Sequence, residues 1–128
     1  MLDHISIPVA DLERAAAFYD VVLETIGLVR RKQVPQGIGY GTEASAAPCF
    51  WLLERSARDL AQPGVGLHIA FHAPSRASVD LFHARAMQAG ATDAGAPAPR
   101  PEYTQPFYGA FVRDLDGFKI EAVCRSNE

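Results

Sequence analysis

Residues 4–19 read HISIPVADLERAAAFY, and residues 68–83 read HIAFHAPSRASVDLFH. When the chain is slid by 64 residues, the two stretches align without a gap, and His4 falls on His68. Each stretch begins with apolar residues at every second position, which predicts a strand, and continues with apolar residues at helical spacing. A repeat of this kind decides how the rest of the chain is interpreted. The sequence therefore predicts two copies of one strand–helix unit.

Capping residues support the two predicted helices. Asp11 and Ser75 stand where each helix begins, and both are residue types that accept hydrogen bonds from free backbone amides at a helix start. Gly27 and Gly90 follow the last apolar residues of the two helical patterns, where glycine commonly ends a helix. Strand, cap, helix and stop thus recur in the same order in both halves.

The remaining segments predict further strands and one irregular arm. The stretch from Ala94 to Pro106 contains four prolines, so we predict that it forms a long irregular arm. Short apolar runs bounded by turn residues predict strands elsewhere. These strands are Leu28–Val34, Ile38–Thr42 and Cys49–Glu54 in the first half, and Phe107–Arg113 and Phe118–Cys124 in the second.

The predicted fold class is α+β, with two tandem βαβββ modules in one domain. Module 1 covers residues 1–56, a polar connection covers 57–65, and module 2 covers 66–128. A chain of 128 residues has the usual size of one domain. Two modules are too few for a solenoid, so we expect their sheets to pair about a pseudo-two-fold axis around a shared core.

Composition excludes several classes of function. The net charge is −3 and the arginines are scattered, which argues against nucleic acid or an anionic membrane surface as a partner. Cys49 and Cys124 lie in apolar runs, so we expect reduced, buried thiols. No signal peptide and no run long enough to span a bilayer is evident, so we expect a cytoplasmic protein.

Two stretches carry a resemblance to a known family. One runs from Leu2 to Tyr19 and includes the motif LDHI followed by DLER, and the other is GAFVRDLDGFKIE at residues 109–121. With the tandem repeat, these motifs resemble the vicinal-oxygen-chelate superfamily of glyoxalases, bleomycin-resistance proteins and extradiol dioxygenases. The resemblance covers nearly the whole chain and implies a cup of curved mixed sheet with the helices outside.

The resemblance also implies a metal site. Carried over residue by residue, it makes His4, His68 and Glu121 the ligands of one divalent ion, which would be iron, manganese, zinc, nickel or cobalt. Two imidazoles and one carboxylate leave coordination positions open for a substrate. His72, two residues after His68, and Tyr108 are the candidates for catalytic proton transfer.

A fourth ligand is left open by the sequence. Glyoxalase I-type sites, which this one resembles, add a carboxylate from the last strand of the first module. Glu54 is the nearest acid in that strand, but the best local match places Leu52 at the ligand position. Both residues share a face of the strand, so Glu54 remains an alternative.

The predicted function is that of a metal-dependent glyoxalase- or dioxygenase-like enzyme. The resemblance implies bidentate chelation of a small oxygenated organic substrate, with a lyase, isomerase, transferase or dioxygenase step. The alternative is a metal-free protein that binds and sequesters a small molecule, as in the bleomycin-resistance branch. Family members of this length commonly pair, so we also expect a homodimer.

Overall fold

The computed structural model describes residues 1–56, 59 and 66–128. Apart from Asp59, the predicted connection at 57–65 lies outside the described residues. The chain divides into two compact units, Met1–Gln62 and Pro63–Glu128, and each is described by itself. In the described part of the chain, no helix combines the length and the apolar character needed to cross a bilayer.

Each unit has one helix and four strands in the order βαβββ. Both sheets are mixed, because the first strand of each unit pairs in parallel with the last, and the other pairs are antiparallel. The strand orders are β1-β4-β3-β2 and β5-β8-β7-β6. The α+β class with two βαβββ modules is therefore confirmed. The elements are β1 Ile5–Val9, α1 Leu12–Glu24, β2 Val29–Val34, β3 Gly37–Gly41, β4 Phe50–Glu54, β5 His68–His72, α2 Arg76–Gln88, β6 Thr92–Pro99, β7 Tyr108–Arg113 and β8 Lys119–Cys124.

The predicted irregular arm is wrong over its first half. Thr92–Pro99 forms β6, which pairs antiparallel with β7. Proline cannot donate to a strand ladder, but β6 is an edge strand, where proline is tolerated on the side away from the neighbour. The pairing shifts register on both sides of Gly95, which accommodates the irregular backbone. Residues 100–107 have turns and bends.

The first unit buries an aromatic cluster between α1 and its sheet. The Tyr19 ring on α1 lies 5.1 Å from the Phe50 ring on β4, and both side chains are almost fully buried. Leu52, two residues along β4, is fully buried as well. Since side chains alternate along a strand, Trp51 projects from the opposite face of this sheet.

The second unit repeats this arrangement. Val79 and Phe82 on α2 are fully buried, as are Ile120 and Ala122 on β8. Ile120 and Ala122 lie on the face of β8 that packs against α2. Because side chains alternate along a strand, Glu121 between them points to the other face of the sheet. The hydrophobic core therefore decides where the carboxylate points.

Candidate metal centre

Glu121 and His68 meet on the face of the second sheet that lies away from α2. The parallel register pairs Ala70 with Glu121, which brings the neighbouring His68 to the same face. His68 Nε2 lies 3.2 Å from Glu121 Oε1. Glu121 is only 3% exposed, and its Oε2 is buried without a hydrogen-bond partner in the described structure. A buried carboxylate oxygen without a partner is costly, so this geometry suits a bound cation.

Burial also controls the electrostatics of this carboxyl group. Desolvation raises the pKa of Glu121 above its ordinary value, because removal from water disfavours the charged form. The neighbouring His68 acts in the opposite direction, and Lys119 and Arg125 add weaker attraction at longer range. The net direction is upward, so the positive groups already present do not fully offset the burial of the carboxylate.

A cavity of about 490 Å³ opens next to Glu121 within the second unit. Its walls combine the side chains of β5 and β8 with aromatic rings of β7 and of the segment 100–107. Besides His68 and Glu121, the cavity is lined by Tyr103, Phe107, Phe111 and Arg125. The carboxylate and the imidazole therefore face a space large enough for a small organic molecule.

His4 belongs to the first unit and lies one residue before β1. The first strand begins at Ile5, whose amide donates to the Cys49 carbonyl oxygen at 3.0 Å. The His4 side chain is half exposed, and its Nδ1 lies 2.6 Å from Asp3 Oδ1. Within either unit, the described residues contain no group of three His, Cys, Asp or Glu side chains arranged around a metal position.

The two residues predicted to transfer protons lie on opposite faces of the second sheet. His72 is exposed and shares a face of β5 with His68. Tyr108 points towards α2, where its hydroxyl donates to Asp80 Oδ1 at 2.6 Å and its ring lies below the Arg76 guanidinium. The hydrogen bond to Asp80 raises the pKa of Tyr108.

The strand register identifies the first-unit counterpart of Glu121. Ser6, which the repeat aligns with Ala70, pairs with Trp51, just as Ala70 pairs with Glu121. The alignment that placed Leu52 at the ligand position is therefore off by one residue, and Leu52 lies on the face that packs against α1. A slip of one residue exchanges the two faces of a strand, and a sequence pattern alone does not fix it.

Glu54 has a structural contact of its own. Its Oε2 accepts a hydrogen bond from the amide of Leu12 at 2.8 Å, at the first residue of α1. The carboxylate thus satisfies one of the free amides at the helix start and interacts favourably with the helix dipole.

Comparison with known families gives a match over most of the chain. The family model described as Glyoxalase/Bleomycin resistance protein/Dioxygenase superfamily matches residues 1–122. The chain belongs to this superfamily. Its structure is similar to that of a glyoxalase/bleomycin resistance protein from Albidiferax ferrireducens T118, with 31% identity, coverage of 98% of this chain and 99% of the other, and a TM-score of 0.84.

More distant members of the glyoxalase/bleomycin-resistance/dioxygenase superfamily share the fold. A family enzyme from Burkholderia phytofirmans PsJN is 19% identical, with coverage of 97% of this chain and 98% of the other and a TM-score of 0.72. A domain from Frankia sp. EAN1pec is 22% identical, with 98% of both chains covered and a TM-score of 0.68. No curated protein matches the sequence.

Sequence reasoning about this superfamily member predicted His68 and Glu121 but missed Phe111 and Arg125, which also line the cavity. Phe111 lies directly opposite Glu121 in the β7–β8 register, and Arg125 lies four residues beyond Glu121. Strand periodicity was the available signal, because residues 121, 123 and 125 fall on one face of an extended chain. The aromatic residues of the segment 100–107 carried no such signal, since their positions depend on how that segment folds over the sheet.

Proposed function

We propose that this superfamily member is a metal-dependent enzyme that acts on a small oxygenated organic substrate. Its ligands would be His4, His68 and Glu121, as the resemblance implies. The observation that carries the proposal is the buried Glu121 Oε2, which lacks a partner beside the His68 imidazole and faces a cavity. An ion pair between His68 and Glu121 leaves Glu121 Oε2 without a partner among the described residues, whereas a bound divalent ion would supply one.

The donor set suits iron, manganese, zinc, nickel or cobalt in the divalent state, because imidazole nitrogen and carboxylate oxygen both bind these ions. When bound, such an ion supplies Lewis-acid stabilisation of negative charge on substrate oxygens. Glu121 would supply the protein's anionic ligand, and its burial strengthens its attraction for a cation. The reaction would be a lyase, isomerase or dioxygenase step.

Other residues of the second unit would orient the substrate and move protons. Phe107 and Phe111 are nearly buried and line the cavity, where their rings would exclude water from a bound molecule. We assign proton transfer to His72, because it shares the face of β5 with His68. The Tyr108 hydroxyl already donates to Asp80 on the helix side, and we assign it a supporting role there.

The first prediction is that the purified protein binds about one divalent transition metal per chain. Elemental analysis of protein prepared without chelator or affinity tag measures this ratio. The double variant His4→Ala, His68→Ala is expected to lose the metal. His83→Ala is the matched control, because His83 lies on α2 and pairs with Asp93 at 2.9 Å. Unchanged occupancy in the double variant would contradict the site and favour a metal-free protein that sequesters its ligand.

The second prediction is that the protein forms a homodimer. Each four-stranded sheet has two edge strands, which expose backbone groups that a second chain can cover. Tyr103, in the segment 100–107, is half exposed and offers an apolar contact. Light scattering at micromolar concentration is expected to give twice the mass of one chain. A mass equal to that of one chain over the whole accessible concentration range would refute the dimer.

A further inference from the structure

The cavity beside Glu121 is lined by a cationic side chain, Arg125, as well as by the proposed metal ligands His68 and Glu121. Arg125 lines it, and the guanidinium lies 4.7 Å from the centre of the Phe107 ring. One N–H group of Arg125 donates to the Thr104 carbonyl oxygen, which holds the side chain across the segment 100–107. A guanidinium has five N–H donors, so this bond leaves donors for a ligand.

The Phe107 ring lies near both the Arg125 guanidinium and the Glu121 carboxylate. A methyl group built on Gly109 would lie 2.8 Å from Phe107 Cε1 and 3.4 Å from Glu121 Oε2, so ring and carboxylate approach the same point of β7. Arg125 contacts the same ring. Arg125 and Glu121 therefore both lie near the Phe107 ring.

The aromatic lining favours a planar ligand. Tyr103 and Phe107 have ring centres 4.8 Å apart, and Phe111 forms the wall that faces His68 at 6.0 Å. Flat rings are bound well by such walls, because offset and edge contacts bury much area at little conformational cost.

The charges of the groups that line the cavity determine whether it favours an anionic or a cationic ligand. A divalent ion held by neutral imidazoles and one carboxylate would keep one uncompensated positive charge, and Arg125 adds a second positive charge on the cavity wall. Glu102 also lines the cavity, and it is exposed like Arg125, so solvent screens these two opposite charges to a similar extent. With a divalent ion bound, the described charged groups that line the cavity therefore favour a negatively charged ligand.

We propose that Arg125 binds an anionic group of the ligand, so that the cavity takes a planar organic anion, such as an aromatic carboxylate. This inference rests on the proposed function in taking the metal end of the cavity as the reaction centre. Arg125 is then the residue that determines specificity for a charged over a neutral substrate.

Three related aromatic compounds test the proposal by calorimetric titration. Zinc-loaded protein is titrated with 3,4-dihydroxybenzoate and with its neutral methyl ester, and metal-free protein is titrated with benzoate. We expect the wild-type protein to bind the acid at least about tenfold more tightly than the ester, since a guanidinium–carboxylate bond is charge-assisted. Arg125→Gln is expected to remove this preference, and Arg125→Lys to keep part of it.

The control variant is Arg14→Gln, which removes the same charge from an exposed position on α1. It is expected to retain the preference for the acid. Equal affinities of acid and ester in the wild-type protein, no binding of either the acid or benzoate at millimolar concentration, or a preference that survives in Arg125→Gln would each overturn the proposal. Benzoate binding that depends on Arg125 without metal supports the anionic subsite even if zinc fails to bind, so the two proposals fail separately.

Discussion

Replacing Glu121 with glutamine is expected to abolish tight metal binding and to stabilise the metal-free protein. The carboxylate is the only anion in the proposed ligand set, so its loss leaves a divalent ion held by neutral imidazoles. Since substitutions outside a ligand shell already cost about 10- to 100-fold in metal affinity, loss of this ligand is expected to cost at least about 100-fold. The neutral amide is less expensive to bury than a carboxylate with an unpartnered oxygen, which corresponds to a stabilisation of about 1 kcal/mol.

A loss of metal affinity together with a gain in stability distinguishes a metal-binding carboxylate from one with a structural role. Metal affinity is measured by competition with a chromophoric chelator, and stability by urea unfolding in the presence of EDTA. Glu54→Gln is the matched control, because its oxygen still accepts from Leu12, and it is expected to change metal affinity little. Strong weakening by both substitutions would make Glu54 a fourth ligand. Weakening by neither would remove Glu121 from the site.

Substitution of Gly39 by alanine is expected to destabilise the first unit by about 2–3 kcal/mol through overpacking. An added Cβ would lie 2.7 Å from Cβ and Cγ of Pro48 and 2.9 Å from Cε2 of Trp51. The proline ring and the indole have little freedom to move away, so the strand itself must shift. The same position in the second unit is Phe111, which shows that the two sheets use one register with very different side chains.

Gly37→Ala is the matched control for this prediction. It lies on the same strand and face, but its added Cβ would meet Leu53 Cδ2 at 3.0 Å and Val34 Cγ2 at 3.1 Å. Leu53 Cδ2 ends a flexible side chain, and both contacts are longer than those at Gly39, so we expect a loss below about 1 kcal/mol. Chemical denaturation monitored by Trp51 fluorescence compares the two variants. Similar stability losses for both would show that Pro48 and Trp51 yield more easily than their contacts indicate.

Local patterns were sufficient for the order of the elements, except that they did not locate β6. The repeated strand–cap–helix stretch predicted both βαβββ modules, because alternation, capping residues and glycine stops act over a few neighbouring positions. Asp11 indeed accepts from the Arg14 amide, and Ser75 from the Ser78 amide. The resemblance of residues 109–121 to the superfamily likewise depended on the sequence alone, and the family match over residues 1–122 confirmed it.

The tertiary structure decided which residues share a face and which strand forms an edge. The proline-rich Thr92–Pro99 forms a strand at the edge of its sheet. It pairs with β7 on one side only, so its prolines need no hydrogen-bond partner on the other side. The β1–β4 register placed Trp51, and not Leu52 or Glu54, opposite Ser6. Packing of α1 and α2 on their sheets then fixed the direction of every alternate side chain. The sequence pattern left these outcomes open because register depends on contacts between residues far apart in the chain, and a shift of one residue exchanges the buried and open faces.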